Sequence, residues 1–132
     1  MRLMLDTNIC IYIINARPPS VIERFRSFAI GDIGISVITL AELEYGAEKS
    51  AQPRRNREAL KQFILPLEVA AFDAEATTAY GRARTALERR GTPIGAMDLL
   101  IAAHAISLGV TLITNNKREF ARVPGRRIQN WV

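Results

Sequence analysis

The order of apolar and amphipathic segments constrains the fold of this chain more than any other feature. Short apolar runs suited to strands occur at 2–5, 33–37, 67–72 and 110–113, and a last short strand is expected near Arg127-Ile128. The stretches between them have the length and the apolar spacing of helices. Strands that alternate with helices are typical of a parallel sheet covered on both faces. We therefore predict a single domain over residues 1–132, an α/β/α sandwich around about four to five mostly parallel strands.

Polar turns directly follow two of these strands. Asp6-Thr7-Asn8 follows the first strand, and Thr114-Asn115-Asn116 follows the fourth. Since the carboxyl ends of parallel strands line the ligand crevice of an open α/β sheet, we expect both turns at one edge, with Asp6 as an exposed acid. Asp6 also stands where a residue would cap the helix that begins at Thr7. The sequence leaves the two roles open.

Two further acids are candidates for the same edge. Asp98 lies at the start of a helix over 98–107 that is apolar nearly all round, so its carboxylate needs a capping role, a partner or a cation. Glu42 lies near the start of the helix that follows the second strand, although Glu44 shows that acids are common on that helix. Three carboxylates without a cysteine set or a histidine pair predict a site for a hard cation, Mg²⁺ or Mn²⁺.

The charge of the chain favours a polyanionic partner. The net charge is +5, and arginine supplies most of the 18 basic residues. Arginine suits bidentate phosphate contacts, although each basic cluster alone is typical of a solvated surface. Together with the acids, this charge indicates metal-dependent hydrolysis of phosphodiester bonds. Cleavage without metal usually needs an acid–base pair, and the chain has only His104, for which a packed role is expected over a catalytic one.

The remaining composition favours a cytoplasmic protein. No apolar run is long enough to span a bilayer, and the start of the chain is too short and too early interrupted by Asp6 for a signal peptide. The single cysteine, Cys10, cannot form an internal disulfide and lies in an apolar segment, so we expect a small buried thiol. We expect no membrane contact.

Four motifs, taken in order along the chain, resemble the PIN-domain toxins of VapBC toxin–antitoxin systems. They are Met4-Leu5-Asp6-Thr7-Asn8, the segment from Ser36 to Gly46, the segment from Gly95 to Ala105, and Leu112-Ile113-Thr114-Asn115-Asn116. Each motif is weak alone, and the ordered set is specific. The resemblance is closest to the enteric type, whose members cut initiator tRNA in the anticodon loop. It implies a PIN-like sandwich and a magnesium-dependent endoribonuclease toxin.

The resemblance also implies roles for particular residues. Asp6, Glu42 and Asp98 correspond to magnesium ligands of the family, which often has a fourth acid after the last core strand. Here Asn116 stands in that turn and Glu119 precedes Phe120. The fourth position stays open between these two residues, either of which could act through a water or by orienting a ligand, and Glu119 is a catalytic candidate with the three acids. The polar residues expected to orient ligands are Asn8, Thr114 and Asn116, and the candidate RNA-binding residues are Arg54, Arg55, Arg57, Lys117 and Arg118.

The implied partners are an RNA substrate, most simply a tRNA, and a VapB-like antitoxin. Such an antitoxin would lay a segment along an apolar groove, for which Ile11, Tyr12 and Tyr45 are candidates beside their alternative role in the core. A homodimer is usual in the family. Two alternatives stay open at this stage. One is an RNA-binding or regulatory module without catalysis, and the other is a PIN nuclease that acts on mRNA, rRNA or single-stranded DNA.

Overall fold

A computed structural model describes residues 1–132 and contains five strands and seven helices. In chain order they are β1 (Leu3–Leu5), α1 (Thr7–Ile14), α2 (Pro19–Arg26), β2 (Ile33–Ser36), α3 (Val37–Glu48), α4 (Pro53–Ile64), β3 (Glu68–Ala70), α5 (Ala74–Arg90), α6 (Ala96–Leu108), β4 (Thr111–Ile113), α7 (Lys117–Phe120) and β5 (Ile128–Gln129). None of these helices is long and apolar enough to span a membrane.

The five strands form one parallel sheet in the order β3-β2-β1-β4-β5. The strand β1 is central, and Leu5 pairs with Ile35 of β2 on one side and with Ile113 of β4 on the other. The three strands therefore end at the same level, and the polar turns after β1 and β4 lie side by side. The sequence prediction of a mostly parallel sheet of four to five strands is confirmed.

The central strand β1 connects two hydrophobic cores because its side chains alternate between the faces of the sheet. Leu3 and Leu5 belong to a core that includes residues of α1, α3 and α4, whereas Met4 belongs to a second core with residues of α5 and α6. All three side chains are buried. Helices thus cover both faces, as the predicted α/β/α sandwich requires.

Gly34 in β2 allows the sheet to pack closely at this point. A Cβ atom at Gly34 would lie 2.5 Å from Cε of Met1 and 2.6 Å from the carbonyl oxygen of Glu68 in β3. The methionine side chain is flexible, but the backbone carbonyl of the paired strand is not. A side chain at position 34 would therefore push β2 and β3 apart.

The helix boundaries depend on local caps. The helix expected over 98–107 extends over Ala96–Leu108 as α6. The helix α2 begins at Pro19 and has no side-chain cap. The helix α3 begins at Val37, directly after β2, because Ser36 accepts a hydrogen bond from the backbone N–H of Ile38 at 3.0 Å and caps the helix.

His104 is a packed residue, as the sequence predicted. It is fully buried on α6, with its Nδ1 2.7 Å from the hydroxyl oxygen of Ser36, and its ring meets Phe72 edge-on at 5.2 Å. Burial lowers the pKa of His104 and keeps the ring neutral. Because Ser36 caps α3, this contact ties α6 to the start of α3.

Candidate active site

Asp6 lies directly after β1 and caps α1. Its Oδ1 accepts a hydrogen bond of 2.9 Å from the backbone N–H of Ile9. Only 4% of the residue is exposed, so the expectation of an exposed acid was wrong. The neighbouring strands β2 and β4 enclose the end of β1, which the sequence alone did not reveal. Burial raises the pKa of Asp6, and hydrogen bonds from Thr114 and Ile9 oppose this rise.

Thr114 brings the turn after β4 into contact with Asp6. The backbone N–H of Asp6 donates to the carbonyl of Ile113 at 2.9 Å, which fixes the two strand ends against each other. The side chain of Thr114 is fully buried beside Asp6 and accepts a hydrogen bond of 2.9 Å from the backbone N–H of Asn116. Thr114 thus links Asp6 to the second polar turn.

Glu42 reaches the same edge from α3. Its Oε1 accepts a hydrogen bond of 2.5 Å from the hydroxyl of Thr7, the residue that follows Asp6. The hydroxyl of Thr39, which is fully buried, lies 3.4 Å from that of Thr7. Burial is the largest cause of the raised pKa of Asp6, and repulsion from Glu42 raises this pKa further, whereas the hydrogen bonds to the carboxylate lower it. The two carboxylates are therefore near neighbours, and Thr7 ties Glu42 to the turn that contains Asp6.

Asp98 lies in the first turn of α6 and is half-buried. Gly95 precedes the helix, and no side chain caps it, so the capping role considered for Asp98 is not the one observed. Burial, followed by repulsion from Glu119, Asp6 and Glu42, raises the pKa of Asp98 from 3.8 to about 6. The acids predicted from separate segments are thus brought together.

Glu119 joins the cluster from the short helix α7. Its Oε1 accepts a hydrogen bond of 2.8 Å from the backbone N–H of Gly95, and its Oε2 accepts one of 2.8 Å from Nδ2 of Asn116. The hydrogen bond from Gly95 is the main cause of the lowered pKa of Glu119. Asn116 and the nearby Arg122 lower this pKa further, and burial only partly opposes them. Glu119 is therefore ionised beside Asp98.

The four acids form a cluster of negative charge without a compensating ion pair. The salt bridges of the chain involve other acids. A group of repelling carboxylates that contains only oxygen donors has the chemistry of a site for a hard divalent cation. No three acidic, histidine or cysteine side chains are already arranged as metal ligands. The carboxylates of Glu42 and Glu119 are instead bonded to Thr7, Gly95 and Asn116.

The other residues predicted for the site differ in exposure and in their hydrogen-bond partners. Asn8 is exposed, and its backbone N–H is among the groups that lower the pKa of Asp6, after burial has raised it. On α4, Arg57 pairs with Glu48 and Arg55 donates to Gln52 at 3.2 Å, whereas Lys117 and Arg118 are exposed on α7 beside Glu119. Arg54 is exposed at the start of α4.

Three contributors to the site were missed from the sequence. They are the hydroxyl of Thr7, the backbone N–H of Gly95 and the guanidinium of Arg122, which donates to the carbonyl of Pro93 at 3.2 Å. The motif that contains Asp6 also contains Thr7, so its position was a usable signal. A backbone amide carries no sequence signal beyond the glycine itself.

A cleft of about 230 Å³ lies between α1, α3 and α4, and Glu42 is the one acid of the cluster in its lining. Its lining includes Ile11, Ile14, Leu43 and Glu42. Ile11 is 40% exposed, which fits the expected groove, and Tyr12 is half-buried with its hydroxyl accepting from Asn115 at 2.7 Å. The cleft joins an apolar surface to one of the acids.

Comparison with known families and proteins gives a consistent result. Residues 3–126 match the PIN domain family. The chain is 47% identical over 131 residues to a tRNA(fMet)-specific endonuclease VapC of Shigella flexneri, a match that covers 99% of this chain and 98% of that protein. It is also 47% identical over 129 residues to ribonuclease VapC2 of Rickettsia felis, with 97% of this chain and 96% of that protein covered.

Solved structures of toxin–antitoxin complexes share the fold. VapBC2 from Rickettsia felis, bound to a DNA fragment from its promoter, contains a chain that matches with a TM-score of 0.94 and 46% identity, and the match covers 100% of both chains. The corresponding values for DNA-bound VapBC from Salmonella typhimurium are 0.95 and 47%, with 100% of this chain and 99% of that chain covered. Both matches cover the whole of this chain.

Proposed function

The chain belongs to the PIN-domain family, and we propose that it is a metal-dependent endoribonuclease and the toxin of a VapBC toxin–antitoxin system. The observation that carries this proposal is the group of four carboxylates without ion-pair partners near the carboxyl ends of the central strands. Burial, followed by repulsion from the other three acids, raises the pKa of Asp98 to about 6. Nucleases of this family are generally metal-dependent. An ion bound here would relieve the repulsion.

Magnesium is the proposed ion, with Mn²⁺ as a substitute. Asp6, Glu42 and Asp98 would hold it, with Glu119 at the same cluster, because hard cations prefer carboxylate oxygens. When bound, such an ion neutralises charge on the phosphate and lowers the pKa of a bound water. The chain itself orients the acids. The backbone N–H of Ile9 donates to Asp6, and the hydroxyl of Thr7 donates to Glu42.

The proposed substrate is RNA, with the initiator tRNA as the specific target. The named activity of the relatives from Shigella flexneri and Salmonella typhimurium supports this choice. Lys117, Arg118 and Arg122 surround Glu119 in the chain and are exposed, so they offer positive charge for the phosphates on either side of the cut. Arg54, Arg55 and Arg57 on α4 would contact RNA farther from the acids.

The proposed protein partner is a VapB-like antitoxin, as in the solved VapBC complexes. Its inhibitory segment would occupy the cleft between α1, α3 and α4, because apolar residues there lead to Glu42. A basic side chain of that segment would then pair with the acids. A homodimer of the toxin within such a complex is part of the same proposal.

Substitution of the acids tests the catalytic proposal. Asp6→Asn and Asp98→Asn are expected to abolish RNA cleavage and growth inhibition while the protein stays folded by circular dichroism. Glu44→Gln is the matched control, since Glu44 lies on the same helix as Glu42 but is not coupled to the cluster. Undiminished cleavage by both folded acid variants would contradict the mechanism. Retained RNA binding without any magnesium-dependent cleavage would favour a regulatory module.

The target is tested by sequencing RNA 5′ ends after brief expression in cells. One new end in the anticodon loop of the initiator tRNA is expected, and it should be absent when Asp98→Asn is expressed. New ends scattered over mRNA or rRNA would contradict the tRNA proposal and leave the nuclease proposal intact. The RNA target and the nuclease activity are tested separately, because the Asp98→Asn variant is expected to lose only cleavage.

A further inference from the structure

Glu119 is held in place by two donors, one for each carboxylate oxygen. The backbone N–H of Gly95 donates to Oε1, and Nδ2 of Asn116 donates to Oε2, both at 2.8 Å. These donors come from opposite sides of the acid, one from the loop before α6 and one from the turn before α7. A carboxylate fixed at both oxygens has little freedom to rotate.

This arrangement sets Glu119 against Asp98. A Cβ atom at Gly95 would lie 3.6 Å from Oε1 of Glu119 and 3.7 Å from Oδ2 of Asp98, so both oxygens border the same small space. The turn that supplies Asn116 is itself tied to Asp6, because the backbone N–H of Asn116 donates to the hydroxyl of Thr114 at 2.9 Å. The position of Glu119 is therefore coupled to Asp98 and, through Thr114, to Asp6.

The residue type at position 116 follows from the charges. A carboxylate in place of the Asn116 amide would face that of Glu119 across a distance of 2.8 Å. Two ionised carboxylates at hydrogen-bond distance repel each other strongly, and one of them would have to take up a proton or move away. An amide avoids this repulsion and donates a hydrogen bond to the acid. Without a bound cation, negative charge at both positions is therefore disfavoured.

We propose that Asn116 is a positioning residue that acts on the bound metal only through Glu119, which supplies the fourth carboxylate of the cluster. This inference rests on the proposed metal-dependent function. When a residue that hydrogen-bonds to a metal ligand is lost, the affinity for the metal typically falls by about 10- to 100-fold. Since this pair is partly exposed, we expect an effect near the lower end of that range.

A double-mutant cycle on metal affinity tests the proposal. Mn²⁺ is titrated into the wild type, Asn116→Ala, Glu119→Gln and the double variant, and binding is followed by calorimetry. Each single variant is expected to bind Mn²⁺ about tenfold more weakly. The double variant is expected to bind no more weakly than Glu119→Gln, because Asn116 has nothing left to position. Asn115→Ala is the matched control, since its amide contacts Tyr12 rather than an acid.

The outcomes separate this inference from the proposed function. Losses that add in the double variant would show that Asn116 acts on the ion by itself, and unchanged affinity in Asn116→Ala would show that it has no role. Either result overturns the positioning role while the metal site stands. A wild type that binds no Mn²⁺, or an Asp98→Asn variant that binds it normally, overturns the metal site and this inference together.

A second measurement uses the metal-free protein. Asn116→Asp is expected to lower the midpoint of thermal unfolding by a few degrees at neutral pH, because it places a second charge beside Glu119. Adding Glu119→Gln to that variant should restore the midpoint, since the new amide at position 119 can donate to the new carboxylate. A double variant no more stable than Asn116→Asp would contradict the proposed contact.

Discussion

Asp98→Asn is expected to stabilise the metal-free protein at neutral pH while it abolishes cleavage. Burial, followed by repulsion from Glu119, Asp6 and Glu42, raises the pKa of Asp98 from 3.8 to about 6. Because the pKa of Asp98 is higher in the folded chain than in the unfolded chain, ionisation of Asp98 destabilises the fold. This penalty is absent below about pH 3.8, grows as the pH rises towards 6, and is complete above it.

The size of the effect follows from these values. A pKa that rises from 3.8 to about 6 corresponds to a penalty of about 3 kcal/mol at full strength. Asp98 is half-buried, so solvent screening reduces the penalty to about 1–2 kcal/mol. Asparagine also loses the favourable interaction of a carboxylate with the first turn of α6, roughly 0.5 kcal/mol. The expected net gain in the free energy of unfolding is about 1 kcal/mol.

Urea unfolding measures this gain. The chain has one tryptophan, Trp131, which is buried and stacked on Phe28 at 5.7 Å, so its fluorescence reports the loss of the fold. In EDTA at pH 7.5 the midpoint of Asp98→Asn should lie about 0.5 M urea above that of the wild type. Below pH 3.8 the two midpoints should converge. Added Mg²⁺ should raise the midpoint of the wild type and leave that of the variant nearly unchanged.

Glu75→Gln provides the control, because Glu75 lies in the first turn of α5, away from the cluster. It should lower stability slightly, through the helix dipole alone. An Asp98→Asn midpoint equal to or below that of the wild type at pH 7.5 would refute the argument from repulsion. A gain that persists unchanged below pH 3.8 would refute its assignment to the charge of Asp98.

Three further predictions follow from particular contacts. Thr7→Val should weaken Mn²⁺ binding by about tenfold in calorimetry because the donor to Glu42 is lost, whereas Thr7→Ser should bind nearly normally; equal losses would point to packing instead. Gly34→Ala should destabilise the fold by about 2–3 kcal/mol in urea unfolding, since its Cβ would meet the Glu68 carbonyl, and an unchanged midpoint would contradict this. Ile11→Asp should weaken binding of a VapB-like antitoxin at least tenfold by surface plasmon resonance while RNA cleavage continues, and unchanged binding would exclude the cleft.

The sheet and the positions of the acids were predictable because they depend on patterns within short segments. The apolar run before Asp6 and the one before Thr114 indicated strands, and the rule for parallel sheets placed both turns at one edge. Asp98 was detectable because a carboxylate at the start of an apolar helix needs a capping role, a partner or a cation. The structure has the expected parallel sheet and brings these residues together.

Burial and hydrogen-bond partners were not predictable in the same way, because they depend on contacts between distant segments. The exposure expected for Asp6 was wrong because the strands on either side of β1 enclose its end. The proposal for Asn116 and Glu119 depends on the distance of 2.8 Å between Nδ2 of Asn116 and Oε2 of Glu119, and on the contact of Glu119 with Gly95. No spacing in the sequence indicates that a backbone amide far along the chain holds this acid.

The four acids come from nearly the whole length of the chain, from Asp6 to Glu119, and they meet only across the completed sheet. Contacts of such long range carry a high cost in loop-closure entropy, which is offset only by the packing of the completed sheet and its two cores. The cluster of acids therefore exists only in the folded chain, and unfolding disperses it. The site thus shares the stability of the whole domain, so a change that destabilises the sheet also lowers the fraction of chains in which the four acids meet.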